Sequence, residues 1–398
     1  VLKIKEQFPQ IKHLEQSGTV YLDSAATSLK HKAVIQAQFD FDSSAVANVH
    51  RGAYKLSGEA TNKYELSRNK MAEYLNCSPE QVVFTKGTTD AVNIVANSYK
   101  QKLNSKDAIL ITEMEHHANL IPWQEVAKKT GAKLLYCSVS DSGDLNLDEI
   151  NDLITNNNIK VMSLCHMSNT LGTLNSVEDI QKICKSKNIS LFIDGAQAIS
   201  TMKPDMKKLG ADFYAFSAHK LFGPFGVGVL FVKDLKQLEL NQVGGGIIDV
   251  VDYEETSFLT GPQKMEPGTP NISGIISLAP LVDFLQTLDF DEIKVHEQSL
   301  LKKCHDQLSK IEGFQPIGTS ESKVNILSFN FKGVHPNDLC ELLDEQGLAL
   351  RSGHHCTQPL LKKMGVPGCA RASFSIYNTE KDVDKLVQAI KKALEMLR

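Results

Sequence analysis

The chain has 398 residues, 42% of them hydrophobic and 23% charged, with a formal net charge of −4. That length supports two cores, and the interspersed charge excludes the basic stripe of a nucleic-acid-binding protein. No apolar run approaches the ~20 residues that span a bilayer, so neither nucleic acid nor membrane is an expected partner.

The opening VLKIKEQFPQI is charged and periodic, unlike a signal peptide. Eight cysteines, at 77, 137, 165, 184, 304, 340, 356 and 369, include no C-x-x-C pair. Their scatter argues against a zinc ribbon, an iron–sulfur ligand set or a disulfide framework. A reducing, cytoplasmic setting is expected, with most thiols acting as small core hydrophobes. Cys184 illustrates this, since it shares a helix face with Val177, Ile180 and Ile183.

From residue 82 onward, short apolar runs alternate with helical patterns. The predicted strands are VVF (82–84), AILIT (108–112), KLLYCSV (133–139), KVMSLCHM (160–167), SLFIDGA (190–196), DFYAFSA (212–218) and VGVLFV (227–232). Continuous apolar strands alternating with helices predict an α/β fold, a mostly parallel seven-stranded sheet with helices on both faces. Further on, VNILSFNF (324–331) and ARASFSI (370–376) alternate with period 2. A last helix begins at Thr379, with Asp382 as capping partner and a stripe of Val383, Leu386, Val387, Ile390, Leu394 and Leu397. These elements predict a smaller α+β C-terminal domain. The Gly/Pro-rich TGPQKMEPGTPN (260–271) is the expected junction. It divides a large domain, 14–265, from a small one, 266–398 together with 1–13.

In parallel sheets ligands bind beyond the carboxyl ends of strands, so polar residues there carry the functional reading. SLFIDGAQA puts Asp194 at one strand end with Gln197 following, and FYAFSAHKLFGPFG puts Ser217, His219 and Lys220 at another. A desolvated lysine is an amine nucleophile. Paired with an aspartate at a neighbouring strand tip, it fits a pyridoxal phosphate site, the lysine forming the Schiff base and the aspartate keeping the pyridine nitrogen protonated. A purely structural buried ion pair is the alternative. TKGTTDAVN places Gly87, Thr88 and Thr89 before a helix. That is an anion cradle, or simply a threonine N-cap. His116 and His117 in EMEHHANLIPW follow another strand, where a histidine could stack on a ring and shuttle protons. A metal site is the competing reading of that pair, and no ligand spacing supports it. Asn169 in HMSNTLGT follows a further strand.

The ordered set YLDSAAT, NVHRGAY, GTTDAVN, EMEHHANLIPWQ, HMSNTLGT, DGAQA, SAHKLFGPFGVG, EPGTPN and RSGHHCTQP resembles the pyridoxal-phosphate cysteine desulfurases of the class V aminotransferase, fold-type I group. R-x-G-H-H-C and HHANLIPWQ resemble its group II, SufS-like branch. The resemblance spans nearly the whole chain. It implies conversion of L-cysteine to L-alanine with the sulfur held as a persulfide on Cys356, for iron–sulfur cluster assembly. Selenocysteine lyase and cysteine-sulfinate desulfinase are the alternatives inside the family; outside it stand a transaminase and a non-enzymatic dinucleotide-binding or scaffold protein, the last without a G-x-G-x-x-G after a first strand.

Carried over, the resemblance makes Lys220 the Schiff-base lysine, Asp194 the partner of the pyridine nitrogen and Gln197 the contact to the ring hydroxyl. His116 would stack on the ring. Thr88, Thr89, Ser217 and His219 would hold the phosphate, and Thr269 would reach the phosphate of a partner subunit, implying a homodimer. Asn169 and Arg371 would grip the substrate carboxylate, and His50 and Arg51 would line the entrance. Arg351 and His355 are expected as cationic neighbours that favour the Cys356 anion. A SufE-like or SufU-like protein would take the sulfur. The sequence departs from the branch at Thr357 and Pro267, where alanine is common, and in the partial glycine-rich match NQVGGGIIDVV.

Overall fold

The computed structural model describes residues 2–398. Seven strands form one sheet: β1 (Val82–Thr85), β2 (Ala108–Thr112), β3 (Lys133–Cys137), β4 (Ile159–Cys165), β5 (Ser190–Asp194), β6 (Phe213–Ser217) and β7 (Gly228–Val232). Their order is β1-β7-β6-β5-β4-β2-β3. Only β7 runs antiparallel to its neighbours. Every predicted strand of this sheet is present.

Successive side chains point to opposite faces of the sheet, and both faces are covered. Val83, Ile109, Ile111 and Val161 pack with Val92, Val95, Leu120 and Trp123 from the helices Thr88–Tyr99 and His117–Thr130. Val82, Leu110, Met162 and Ile193 pack on the other side with Tyr64, Met71, Ile180 and Leu281. Burial on both faces is why these strands read as unbroken apolar runs. The edge strand β3 is the exception, with Lys133 and Tyr136 exposed.

A second, antiparallel sheet has the order β8-β9-β11-β10, where β8 is Phe314–Ile317, β9 Ile326–Phe331, β10 Arg351–Gly353 and β11 Cys369–Ser373. One face packs with the helices Phe290–Leu308, Pro336–Asp344 and Glu380–Leu397. The last helix has the expected capping box, in which the Thr379 N–H donates to Asp382 at 2.8 Å. The period-2 strands do carry a polar face, yet Ser328, Arg371 and Ser373 on it are buried. That face turns to the large domain and walls the candidate site.

The packing differs from the expected division at residue 265. Helices Ile272–Ile276 and Leu278–Leu285 join the core of the large sheet, as do Phe8 and Ile11. Leu22 joins the small-domain core instead, because Val20–Tyr21 pairs with Leu348–Ala349. The changeover falls within Phe290–Leu308, where Ile293 packs with the large core and Leu300, Leu301 and Cys304 with the small one. Periodicity shows that a face is buried, not what it is buried against.

EPGTPN is fastened by Glu266. This buried carboxylate accepts Arg68 Nη1 at 2.7 Å, Arg68 Nη2 at 2.9 Å, the Tyr64 hydroxyl at 2.9 Å and the Phe84 N–H at 2.7 Å. Removing one partner of such a pair strands the other charge. Glu266→Ala is expected to lower stability by about 3–5 kcal/mol, read by urea unfolding. A loss below about 1 kcal/mol, the range of an exposed pair, would contradict this account.

Among the described residues, no single helix is long and apolar enough to cross a membrane. Among the described residues, no group of three or more His, Cys, Asp or Glu is placed to hold a metal ion. All eight cysteines are free thiols.

Candidate active site

A cavity of about 230 Å³ opens at the carboxyl ends of β1, β4, β5 and β6 and is closed on one side by the small domain. The large domain contributes Thr88, Thr89, His116, Asn169, Asp194, Gln197, Ser217, His219 and Lys220. The small domain contributes Arg351, His355, Cys356 and Arg371.

One end is built for an anion. Gly87 caps the helix Thr88–Tyr99 at φ 153°, and a Cβ on it would stand 3.2 Å from Ser217 Oγ. A Cβ on the facing Gly228 would approach Gly87 Cα to 2.5 Å. The backbone is therefore too close for side chains, and the helix N-terminus meets the cavity directly. Ser217 Oγ accepts the Thr88 N–H at 2.8 Å and lies 2.9 Å from Thr88 Oγ1. His219 Nδ1 sits 3.2 Å from Thr27 Oγ1, its ring stacked on Phe225, and burial lowers its pKa to about 4.

The middle of the cavity holds the titratable groups. Asp194 ends β5, and its Oδ1 accepts the Ala196 N–H at 2.9 Å. Burial raises its pKa, and the Ala196 bond and Lys220 oppose that rise. Lys220 is half-buried, and desolvation lowers its amine to about 8 against the pull of Asp194. Both groups face the cavity rather than closing on each other. His116 caps the helix His117–Thr130, its Nδ1 accepting the Ala118 N–H at 3.0 Å. Burial and the nearby Lys220 lower it to about 3, so the ring is neutral and its remaining proton is on Nε2. Gln197 Nε2 donates to the Ala25 carbonyl at 2.7 Å.

The third wall is cationic. Arg371 is 2% exposed. Its Nη1 donates to the Asn169 carbonyl at 2.9 Å and its Nη2 to Asp23 Oδ1 at 3.0 Å, while its Nε has no partner. Arg351 Nε donates to the other oxygen of Asp23 at 3.2 Å. A buried guanidinium with an open donor suits a carboxylate ligand. Asn169 is also committed, since Nδ2 donates to the His355 carbonyl at 2.7 Å.

Cys356 is exposed on the turn after β10. The expectation of a cationic His355 beside it is corrected. Its Nε2 faces the Cys369 carbonyl at 2.9 Å and so bears the proton, and burial lowers the ring to about 3. His355 is thus a neutral buried ring, and Arg351 and Arg371 are the cations of this wall. The turn itself is strained, with φ 50° at His355 and 58° at Cys356. Side-chain-bearing residues there cost roughly 1–2 kcal/mol each.

Three expected site residues lie outside this cavity in their own chain. Thr269 lines a second cavity of about 320 Å³ with Lys86, Asp90, Gln242 and Asn271. The His50 N–H donates to Thr61 Oγ1 at 2.8 Å, and Arg51 Nη2 donates to the Ile248 carbonyl at 2.9 Å. Conversely, Asp23 and Glu115 went unassigned in the sequence. Asp23 follows only the two-residue, half-buried strand Val20–Tyr21, too short a run to mark it as Asp194 is marked. Glu115 is raised to about 7 by burial, despite donors from Thr112, Asn119 and the Cys165 N–H.

The donor set fits pyridoxal 5′-phosphate. A helix N-terminus with hydroxyls suits a phosphate, and a desolvated amine with a buried carboxylate suits the aldehyde and the ring nitrogen. The family profile Aminotransferase class-V matches residues 20–386. A probable cysteine desulfurase of Halalkalibacterium halodurans is 42% identical over 99% of this chain and 98% of its own. A cysteine desulfurase of Haloferax volcanii is 41% identical over 95% of this chain and 90% of its own. The crystal structure of the cysteine desulfurase CsdA from Escherichia coli superposes with a TM-score of 0.92 at 38% identity, covering 100% of this chain and 99% of that one. The chain therefore belongs to the cysteine desulfurases of the class V aminotransferase family, fold-type I enzymes that depend on pyridoxal 5′-phosphate.

Proposed function

We propose that Cys356 takes the sulfur of L-cysteine as a persulfide and that L-alanine is released. The observation that carries this reading is an exposed thiol lining the same cavity as a desolvated lysine and a buried, unpaired aspartate. Pyridoxal phosphate, when bound, supplies the electron sink that lets the substrate Cα–H bond ionise. Thr88, Thr89, Ser217 and His219 would hold its phosphate, Asp194 and Gln197 its ring edge, and neutral His116 its ring face. Arg371, with its open Nε, and Asn169 orient the substrate carboxylate. Lys220, whose amine titrates near 8, takes the proton from Cα. Cys356 Sγ then bonds to the substrate sulfur as the Cβ–S bond breaks. That electron pair stays on Cβ and is protonated, and Lys220 returns the proton to Cα, giving alanine and Cys356–S–SH.

The test is product balance. With L-cysteine and a thiol reductant, alanine and sulfide should appear in equal amounts. Pyruvate, or an oxo-acid with loss of the aldehyde cofactor, would refute the reading. Preferential turnover of selenocysteine or cysteine sulfinate would move it to those activities.

Lys220 also sets a pH dependence. Only the neutral amine attacks an aldehyde. Recombination of the cofactor-free protein with pyridoxal phosphate should therefore accelerate about tenfold per pH unit below about 8 and level off above it. Absorbance of the bound cofactor reports the rate. A midpoint near the ordinary lysine value of 10.5 would show that Lys220 is not desolvated.

The same reading makes the protein a homodimer in which Thr269, His50 and Arg51 complete the partner's cavity. Its supports are their distance from their own cavity and the exposed apolar side chains Phe39, Val46, Tyr54, Val250 and Tyr253. Sulfur passes from exposed Cys356 to a SufE-like or SufU-like acceptor, for iron–sulfur cluster assembly in a SUF-type system of the cytoplasm.

A further inference from the structure

We infer that Thr170 and Thr357 are positioning residues that hold Cys356 against the cavity. The inference rests on the reading of Cys356 as the group that takes the sulfur. His354 to Thr357 form a tight turn, in which the His354 carbonyl accepts the Thr357 N–H at 2.9 Å. Both central residues, His355 and Cys356, have positive φ. That is the pattern of a type I′ turn, which favours glycine or asparagine. Residues with larger side chains persist there only when their surroundings fix them.

The fixing group is the dipeptide Asn169–Thr170. Asn169 Nδ2 holds the His355 carbonyl at 2.7 Å, and Thr170 Oγ1 holds Thr357 Oγ1 at 2.7 Å. The residues on both sides of Cys356 are thus tied to adjacent residues of one loop. The Cys356 carbonyl itself accepts the His117 N–H at 2.8 Å. Thr357 donates its only hydroxyl proton to the His354 carbonyl at 3.1 Å, so Thr170 is the donor of the hydroxyl pair. Both threonines are fully buried, so water cannot replace either partner. The dipeptide is braced in turn by the small domain: the Thr170 carbonyl accepts Ser328 Oγ at 2.6 Å, and the Asn169 carbonyl accepts Arg371 Nη1 at 2.9 Å. Carboxylate grip and thiol position therefore share one seam. Without the hydroxyl pair the turn relaxes toward negative φ and carries the thiol away. A displacement of about 1 Å in a reacting group costs on the order of 10²-fold in rate.

The experiment uses the pyridoxal-phosphate-loaded protein and compares Thr357→Val, Thr170→Val, the double variant and Thr357→Ser. Thr357→Val should lower kcat for alanine formation about ten- to a hundredfold, with KM for cysteine and the cofactor absorbance unchanged. Thr357→Ser should restore most of the rate. The double variant should be no slower than the slower single one, because the contact that Thr170→Val deletes is already lost in Thr357→Val. An unchanged kcat in Thr357→Val, or equal losses in Thr357→Val and Thr357→Ser, would overturn the inference. Hydrogen exchange of the segment 350–360 supplies an activity-independent readout. It should accelerate at least tenfold in Thr170→Val, and equal exchange to wild type would also overturn the inference. A wild-type protein that makes no alanine from cysteine would refute the proposed function instead.

Discussion

Replacing Cys356 with alanine is expected to cut alanine and sulfide formation from L-cysteine by about 10³-fold or more, the scale of losing a covalent nucleophile. The cofactor should stay bound. The cofactor-facing groups Lys220, Asp194 and His116 are held by elements of the large domain, not by the loop that carries this thiol. The visible absorbance and its change on adding cysteine should therefore survive while turnover is lost. Mass spectrometry should show a 32-dalton sulfur adduct on the wild-type cysteine loop and none in the variant. Full turnover of cysteine by Cys356→Ala would remove this residue from the reaction.

Lys220→Ala is expected to be equally severe for a different reason. The amine is needed twice, to hold the cofactor and to take the Cα proton, and general-base removal alone costs about 10²–10⁴-fold. Borohydride reduction should fix pyridoxal phosphate to the wild-type chain and not to the variant, read by intact mass. Covalent fixation at another lysine would refute the assignment. Lys30 is the strongest competitor. Burial lowers it to about 7, but its ammonium donates to Thr27 Oγ1 at 3.0 Å and the His219 carbonyl at 2.9 Å, and it does not line the cavity.

The sequence made Lys220, Asp194 and Ser217 legible because each follows an apolar run that is too continuous to be anything but a doubly covered strand. Thr88 was legible as a helix start and His116 as a residue just past a strand. Asp23 was not, because its meaning comes from Arg371, 348 residues away. Thr357 stood out as a departure from the branch, but its hydroxyl contact to Thr170 was silent for the same reason, spanning 187 residues. His355 was misread as a cation, since burial and a bond to the Cys369 carbonyl are invisible in the run GHHC. Helices 272–285 were assigned to the wrong domain because an apolar stripe does not name its partner.

By itself, then, the sequence determined the sheet, its two-faced cover, the C-terminal helix with its Thr379 cap and the residue types at strand ends. These follow from local periodicity and from which side chains water excludes. Only the tertiary structure decided which of those residues share a cavity. It left Thr269, His50 and Arg51 outside, made His355 neutral, gave Asp23 two arginines and pinned Cys356 in a left-handed turn. Each of these depends on desolvation and on hydrogen bonds between segments far apart in the chain, and neither is encoded in any one stretch.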